Sequence, residues 1–278
     1  MTPQATVLAP SARLSLGRIW LLLGCLCVVL GLQACAGKSS SPAGEPRTES
    51  DRTSADRRAA VRMELASGYF SRGQYKTALD EIKQALAAKP DMREALSLRG
   101  LVYAALGEFK LAEDNFSYAL KLSPTDADTL HNYGWFLCQQ QKWAAASAQF
   151  DLALAQPSYR APSRTLLAKG ACEVLAGQLA NAERTLSKAF ELEPANPAIA
   201  MNLGDVLYRT GQWERARFYV KRVNAQPEQS NAQSLWLALR IERRLSNSAA
   251  VEDYSQQLRR RFAQSAETQA LDNGRFDD

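Results

Sequence analysis

Small and large apolar residues recur at a fixed interval along residues 59–264. Counting Ala59 as the first place of a unit, units begin at 59, 93, 127, 163, 197 and 231, with spacings of 34, 34, 36, 34 and 34 residues. The eighth place is always small: Ala66, Gly100, Gly134, Gly170, Gly204 and Ala238. The twentieth is alanine six times, at Ala78, Ala112, Ala146, Ala182, Ala216 and Ala250. The twenty-fourth is a large apolar knob: Ile82, Phe116, Phe150, Leu186, Val220 and Tyr254. Each unit is expected to hold a helix A over about its first 14 residues and a helix B from about the seventeenth to the thirtieth place. Gly73, Gly107, Gly177 and Gly211 mark the turns between them, and Pro90, Pro124, Pro157, Pro194 and Pro227 stop the B helices. Units three, five and six are more degenerate. Gln141 replaces the turn glycine of the third, the sixth turns at Leu245-Ser246-Asn247, and the two extra residues of the third fall near Tyr159-Arg160-Ala161-Pro162. The polar tail 265–278 is expected to fray.

A 34-residue period of paired antiparallel helices is the tetratricopeptide length, and the expected fold is an all-α superhelical solenoid of six helix pairs. Composition agrees. The chain has 45 Ala and 37 Leu against 10 Val and 4 Ile, rich in helix formers and poor in β-branched residues. With 46% hydrophobic residues it can build a core, so wholesale disorder is excluded, as are collagen, a disulfide-dense toxin and a multispan membrane protein. His131 is the single imidazole, which leaves most zinc sites and His-dependent catalysis without ligands or partners. No nucleophile elbow, Cys-x-x-Cys pair or paired-carboxylate signature occurs. The expectation is a non-enzymatic protein with no cofactor, metal or small-molecule substrate. Arg243-Arg244 and Arg259-Arg260-Arg261 read as solvated helix faces, with contact to anionic lipid or an acidic partner as the lesser alternative.

The N-terminus reads as an address. Residues 1–18 carry Arg13 and Arg18 and no acid, and Ile19–Leu30 is apolar apart from Gly24, too short to span a bilayer as a helix. Leu32-Gln33-Ala34-Cys35 resembles the lipobox of bacterial lipoproteins. By that resemblance 1–34 is a lipoprotein signal peptide and Cys35 is acylated. Leu22-Leu23-Gly24-Cys25 fits more loosely and would strand an apolar run after it. The alternative is a plain signal peptide with Cys35 an ordinary residue. No Asp follows Cys35, which by enteric-type sorting rules implies the outer membrane. Residues 35–58 are rich in Ser, Pro, Gly and charge, the composition of a flexible tether, whose roughly 24 residues would span about 25–30 Å. Loss of Arg13 and Arg18 lowers the formal charge from +5 to +3, too mild to point to nucleic acid.

Three segments are more particular than a generic repeat: His131-Asn132-Tyr133-Gly134-Trp135-Phe136-Leu137-Cys138, Tyr159-Arg160-Ala161-Pro162-Ser163-Arg164 and Ser234-Leu235-Trp236-Leu237-Ala238-Leu239-Arg240. With a lipobox ahead of six repeats, the chain resembles the PilF/PilW family of type IV pilus biogenesis lipoproteins, the pilotins, over residues 59–264. The resemblance implies a lipid-anchored protein on the periplasmic side of the outer membrane. It also implies a type IV pilus secretin subunit as partner, and a role in secretin localisation and multimer assembly, hence in pilus biogenesis and twitching motility. A general envelope adaptor is the alternative.

A groove lined by the A helices would present Met63, Phe70, Leu98 and Leu101 as an apolar floor for an amphipathic or extended partner segment, the alternative being that they pack against neighbouring helices or the tether. Asn132 could clamp a partner backbone or bond between helices within the solenoid, and Trp135 could line the groove or belong to the core. Cys138 and Cys172 lie on the A helices of adjacent repeats and, in an oxidising compartment, are expected to form a disulfide, the alternative being two buried thiols too far apart to bridge.

Overall fold

The computed structural model describes residues 53–276; the expected signal peptide, Cys35 and the tether up to residue 52 lie outside the described residues, as do Asp277 and Asp278. Thirteen helices and no strand occur among the described residues. They run as α1 (Ser54–Ser71), α2 (Tyr75–Ala88), α3 (Arg93–Ala105), α4 (Phe109–Leu122), α5 (Ala127–Gln139), α6 (Trp143–Leu154) and α7 (Pro162–Leu175). Then follow α8 (Leu179–Leu192), α9 (Pro197–Arg209), α10 (Trp213–Asn224), α11 (Ala232–Arg244), α12 (Ser248–Arg261) and α13 (Ala266–Asp272). Odd-numbered helices to α11 are the A helices and even-numbered ones to α12 the B helices. Each A helix packs on its own B helix and on the A helix of the next unit. The fold is an all-α tetratricopeptide-repeat solenoid.

The turn between A and B requires a left-handed residue, and Gly73, Gly107, Gly177 and Gly211 supply it at φ +71° to +80°. The third and sixth units make the same turn without glycine, with Gln141 at φ 57° and Ser246 at φ 56°. Backbone hydrogen bonds hold Gln141 there: its N–H donates to Cys138 O at 2.9 Å and that of Lys142 to Leu137 O at 2.9 Å, matching Gly73 to Phe70 O and Gln74 to Tyr69 O in the first unit. The left-handed conformation costs a residue with a Cβ roughly 1–2 kcal/mol, which here is offset by the packed helices on either side.

The eighth-place residues act within their own unit, against the knob of helix B. A Cβ on Gly100 would stand 2.8 Å from the Phe116 ring, on Gly134 2.9 Å from Phe150, on Gly170 2.5 Å from Leu186 Cγ and on Gly204 2.6 Å from Val220. Five twentieth-place alanines, Ala78, Ala112, Ala146, Ala182 and Ala216, are fully buried in the same seam. Gly170→Ala is therefore expected to destabilise by up to about 2 kcal/mol, the overpacking cost of roughly 1–3 kcal/mol less a helix-propensity gain of about 1 kcal/mol. Gly68, where a Cβ meets only the end of Arg72 at 3.8 Å, is the control. Gly68→Ala should leave urea stability equal or higher; equal effects at both sites would show that the close approach is not what the glycine serves.

Three boundaries differ from the sequence reading. Helix α1 begins at Ser54, so five residues assigned to the tether are helical. Thr53 caps it, its hydroxyl accepting from Asp56 N at 3.1 Å while Asp56 Oδ2 accepts from Thr53 N at 3.1 Å. Lys89 lies 2.8 Å from the same carboxylate, and these bonds hold Asp56 well below the usual carboxylate range. The sixth unit is displaced by one residue: its left-handed turn is Ser246, 35 residues after Gly211, and α11 starts at Ala232. The extra residue sits in the loop before Asn231, which caps α11. Ala250 is accordingly only half-buried, and Ser255 is buried one place after Tyr254.

Over residues 265–276 the tail is not frayed. Ser265 caps α13 by accepting from Thr268 N at 3.1 Å, and Thr268 donates to Phe262 O at 2.8 Å. Leu271 packs with Leu235, Leu239 and Leu258. Beyond α13, Phe276 stacks on Trp236 with ring centroids 5.6 Å apart. This segment covers the outer face of the sixth repeat, as a cap does in repeat arrays. Its polar composition concealed the two apolar residues that anchor it.

Candidate functional site

Packing and polar bonds divide the six residues expected to line the groove. Met63, Phe70 and Leu98 are half-buried against one core cluster, built on Ala66, Ile82, Ala85, Ala95 and Val102. Leu101 and Trp135 are half-buried against the next, with Phe116, Phe136, Phe150 and the two cysteines. Phe70 also meets Tyr75 across the first turn, centroids 5.7 Å apart. These side chains thus serve the core, and each keeps part of its surface exposed.

Asn132 is the exception. Its Nδ2 donates to Ser97 Oγ at 3.1 Å, from α5 to α3. The helix-to-helix bond is what this carboxamide makes here, in place of the backbone clamp. One repeat further on, His131 Nδ1 lies 2.9 Å from Thr165 Oγ1 of α7, and the Tyr159 hydroxyl lies 2.6 Å from the same oxygen. Neighbouring A helices are thereby pinned by single polar contacts among apolar ones. The stapling is strongest between α5 and α7, where Cys138 and Cys172 are joined with Sγ atoms 2.17 Å apart and Cα atoms 5.9 Å apart.

Burial, aided by the charge of Arg164, pushes the His131 imidazole down to about 4. Its ordinary value is about 6.5. The unfolded chain therefore takes up a proton that the folded chain refuses. The stabilisation is fully present above pH 6.5 and is lost as pH falls from 6.5 to 4. Because the chain has one imidazole, its ring-proton NMR signals report this directly, with a midpoint near 4 expected. A midpoint of 6 or above would show that the ring is solvated.

Among the described residues, no group of three or more His, Cys, Asp or Glu is placed to hold a metal ion. No helix among them is long and apolar enough to cross a membrane.

Comparison with known proteins agrees with this architecture. Tetratricopeptide-repeat family profiles match residues 63–127 and 173–239. The type IV pilus assembly protein PilF of Pseudomonas aeruginosa is 28% identical over 207 residues, covering 74% of this chain and 82% of that protein. Its solved structure superimposes with a TM-score of 0.69 at 26% identity, over 80% of this chain and all of that one. The crystal structure of PilW, described as a widely conserved type IV pilus biogenesis factor, is 32% identical over 77% of this chain and 97% of its own, with a TM-score of 0.70. The chain belongs to the PilF/PilW family of tetratricopeptide-repeat proteins.

Sequence reasoning missed several groups in this PilF/PilW-type chain. Ser97 and Thr165 pair with Asn132 and His131 across 35 and 34 residues, and a polar residue in the seam of adjacent units was their only signal. The arginine runs are not simply solvated. Arg261 donates to Ser230 O at 3.3 Å and to Ser230 Oγ at 3.2 Å, and Arg259 pairs with Asp272 at 3.0 Å. Arg243 lies over the Phe276 ring at 3.9 Å. The tail that receives Arg243 and Arg259 reads in the sequence as frayed, which hides their partners.

Proposed function

We propose that this protein is a type IV pilus biogenesis factor acting as a pilotin. In this reading it is a lipoprotein held by acylated Cys35 to the periplasmic side of the outer membrane. There it binds the pilus secretin and supports its localisation and multimer assembly, as a scaffold rather than a catalyst. The observation that carries this reading is the likeness to PilW over nearly the whole of that protein, at 32% identity. The exposed parts of Met63, Phe70, Leu98, Leu101 and Trp135, on α1, α3 and α5, offer an apolar surface suited to an amphipathic helix or extended strand of the secretin subunit.

The test is the state of the secretin in cells lacking the protein, complemented with wild type or with Cys35→Ala. Heat-resistant multimers should vanish without the protein. With Cys35→Ala they should lie in the wrong membrane fraction. Unchanged multimers in both strains would refute the pilotin role and favour a general envelope adaptor. A further pair, Met63→Glu and Leu98→Glu, should abolish multimers while leaving the protein folded by circular dichroism, if the apolar surface is where the secretin subunit docks.

A further inference from the structure

Between the third and fourth repeats, α6, α7 and α8 border a polar cleft of about 320 Å³. Asn181, Arg184, Thr185 and Lys188 are spaced i, i+3, i+4 and i+7 along α8, so one face of that helix forms a wall. Ser147 of α6, Lys169 and Glu173 of α7, and Gln178 of the turn complete it. These four also line a recess of about 20 Å³, whose remaining walls are Trp143, Phe150, Cys172 and Ala176. A recess of that size admits one water-sized group.

Glu173 is shared by the two spaces. It is only 9% exposed, and its Oε2 is buried without a hydrogen-bond partner among the described residues. Lys169, one helical turn earlier, pairs with Asp151 of α6 instead. A buried carboxylate oxygen without a donor is costly, so the recess favours a group that brings one. Burial pushes the Glu173 carboxyl above its ordinary range, against the pull of Thr185, Lys169 and Arg184. A hydroxyl suits that carboxyl in either protonation state, because a hydroxyl both donates and accepts.

The rest of the lining narrows the ligand class. Lys169 is neutralised by Asp151, and Arg184 and Lys188 stand beside the carboxyl of Glu173. Neither a free anion nor a free cation therefore meets walls of one opposite sign. Arg184 donates to Asn181 Oδ1 at 2.6 Å, and Asn181 Nδ2 donates to Gln178 Oε1 at 3.1 Å. Two carboxamides and a guanidinium are thereby held in line along the cleft. Donors and acceptors so mixed, with an unpaired carboxyl oxygen at a hydroxyl-sized recess, match a neutral molecule rich in hydroxyl and amide groups.

We propose that this cleft is a glycan site. It takes an N-acetylated sugar, one hydroxyl of which enters the recess and donates to Glu173 Oε2 while the acetamido group lies along Gln178, Asn181 and Arg184. The site is built on other helices than those bearing Met63, Phe70, Leu98, Leu101 and Trp135, so its failure leaves the secretin reading untouched.

Isothermal titration of the full chain with tri-N-acetylchitotriose tests this, with inorganic phosphate as the control anion. The trisaccharide should bind and phosphate should not. Glu173→Leu, which removes the acceptor, should weaken binding roughly tenfold or more. Glu173→Gln, which keeps an acceptor oxygen, should bind nearly as the wild type does. Should Glu173→Leu fail to fold, Asn181→Ala/Arg184→Ala, on the α8 wall outside the core clusters, should weaken binding in the same direction. Co-sedimentation with purified cell-wall sacculi separates the two sources of such a sugar: retention gives the wall polymer, and passage with intact trisaccharide binding gives a free oligosaccharide. No binding of the trisaccharide, binding of phosphate in its place, or unchanged affinity in both Glu173→Leu and the double variant would overturn the proposal.

Discussion

Removing the Cys138–Cys172 bond, by Cys138→Ala/Cys172→Ala or by reduction, is expected to lower the unfolding free energy by about 3–4 kcal/mol. The cysteines are 34 residues apart, and closing a loop of that size in the unfolded chain removes conformational entropy worth roughly this amount. The bond also spans the longest link within the first four repeats, residues 155–161 between α6 and α7, beside which the third repeat lacks its turn glycine. Urea unfolding followed by far-UV circular dichroism, with and without reductant, measures the effect. In a solenoid, adjacent repeats can unfold separately once their interface weakens. Reduction should therefore also broaden the transition or split it. Mass spectrometry of unreduced peptides checks the bond itself, and free thiols at both positions would remove the basis for the expectation.

Arg217→Met should cost about 2–3 kcal/mol. Glu242 is buried at the junction of α10, α11 and the following turn, and Arg217 grips both of its oxygens, Nε to Oε1 at 2.9 Å and Nη2 to Oε2 at 2.8 Å. Stripping one partner from a buried pair leaves a desolvated charge and costs roughly 3–5 kcal/mol. The lower figure applies here because Arg217 keeps 29% of its side chain exposed and because Asn247 still donates to Glu242 at 2.8 Å. The second substitution Glu242→Gln should recover more than half of the loss, since it removes the stranded charge and keeps an acceptor for Asn247. No recovery would mean that Arg217 acts through the packing of its stem rather than through the carboxylate. The same urea experiment decides between them.

The repeats were legible in the sequence because their cause is periodic. A small eighth-place residue, an alanine and a knob recur where helix A meets helix B, and five copies in register make the pattern plain. What broke the period was harder to see. The sixth unit slipped by one residue because nothing in the sequence marks where a loop absorbs an insertion; Ala250 and Tyr254 satisfied the pattern one place away from Ser255, which is the buried residue. Helix α1 started early because Thr53 and Asp56, polar residues within a polar stretch, form a capping box. Helix α13 stayed hidden because Leu271 and Phe276 are only two apolar anchors in a polar tail. Among the candidate site residues, the apolar ones read as groove or core, and each is half-buried against a core cluster with part of its surface exposed. Asn132 could not be decided from one sequence, because its partner Ser97 lies in another repeat.

The pairing of eighth-place and knob residues has a consequence for how the chain finds its own register. An array of look-alike helices has many near-equivalent arrangements in which an A helix docks on the B helix of the wrong unit, and such errors are a characteristic failure of repeat proteins. Here the pairs are graded in size: Ala66 with Ile82, Gly100 with Phe116, Gly134 with Phe150, Gly170 with Leu186, Gly204 with Val220. A phenylalanine knob brought against Ala66 would clash, and Val220 brought against Gly134 would leave a void where a ring belongs. Apart from an exchange between the second and third units, which share a glycine and a phenylalanine, wrong pairings are penalised by a collision or a cavity of about 1–3 kcal/mol. Units that look interchangeable in the sequence are therefore largely keyed by size, and most competing folds are raised above the native one.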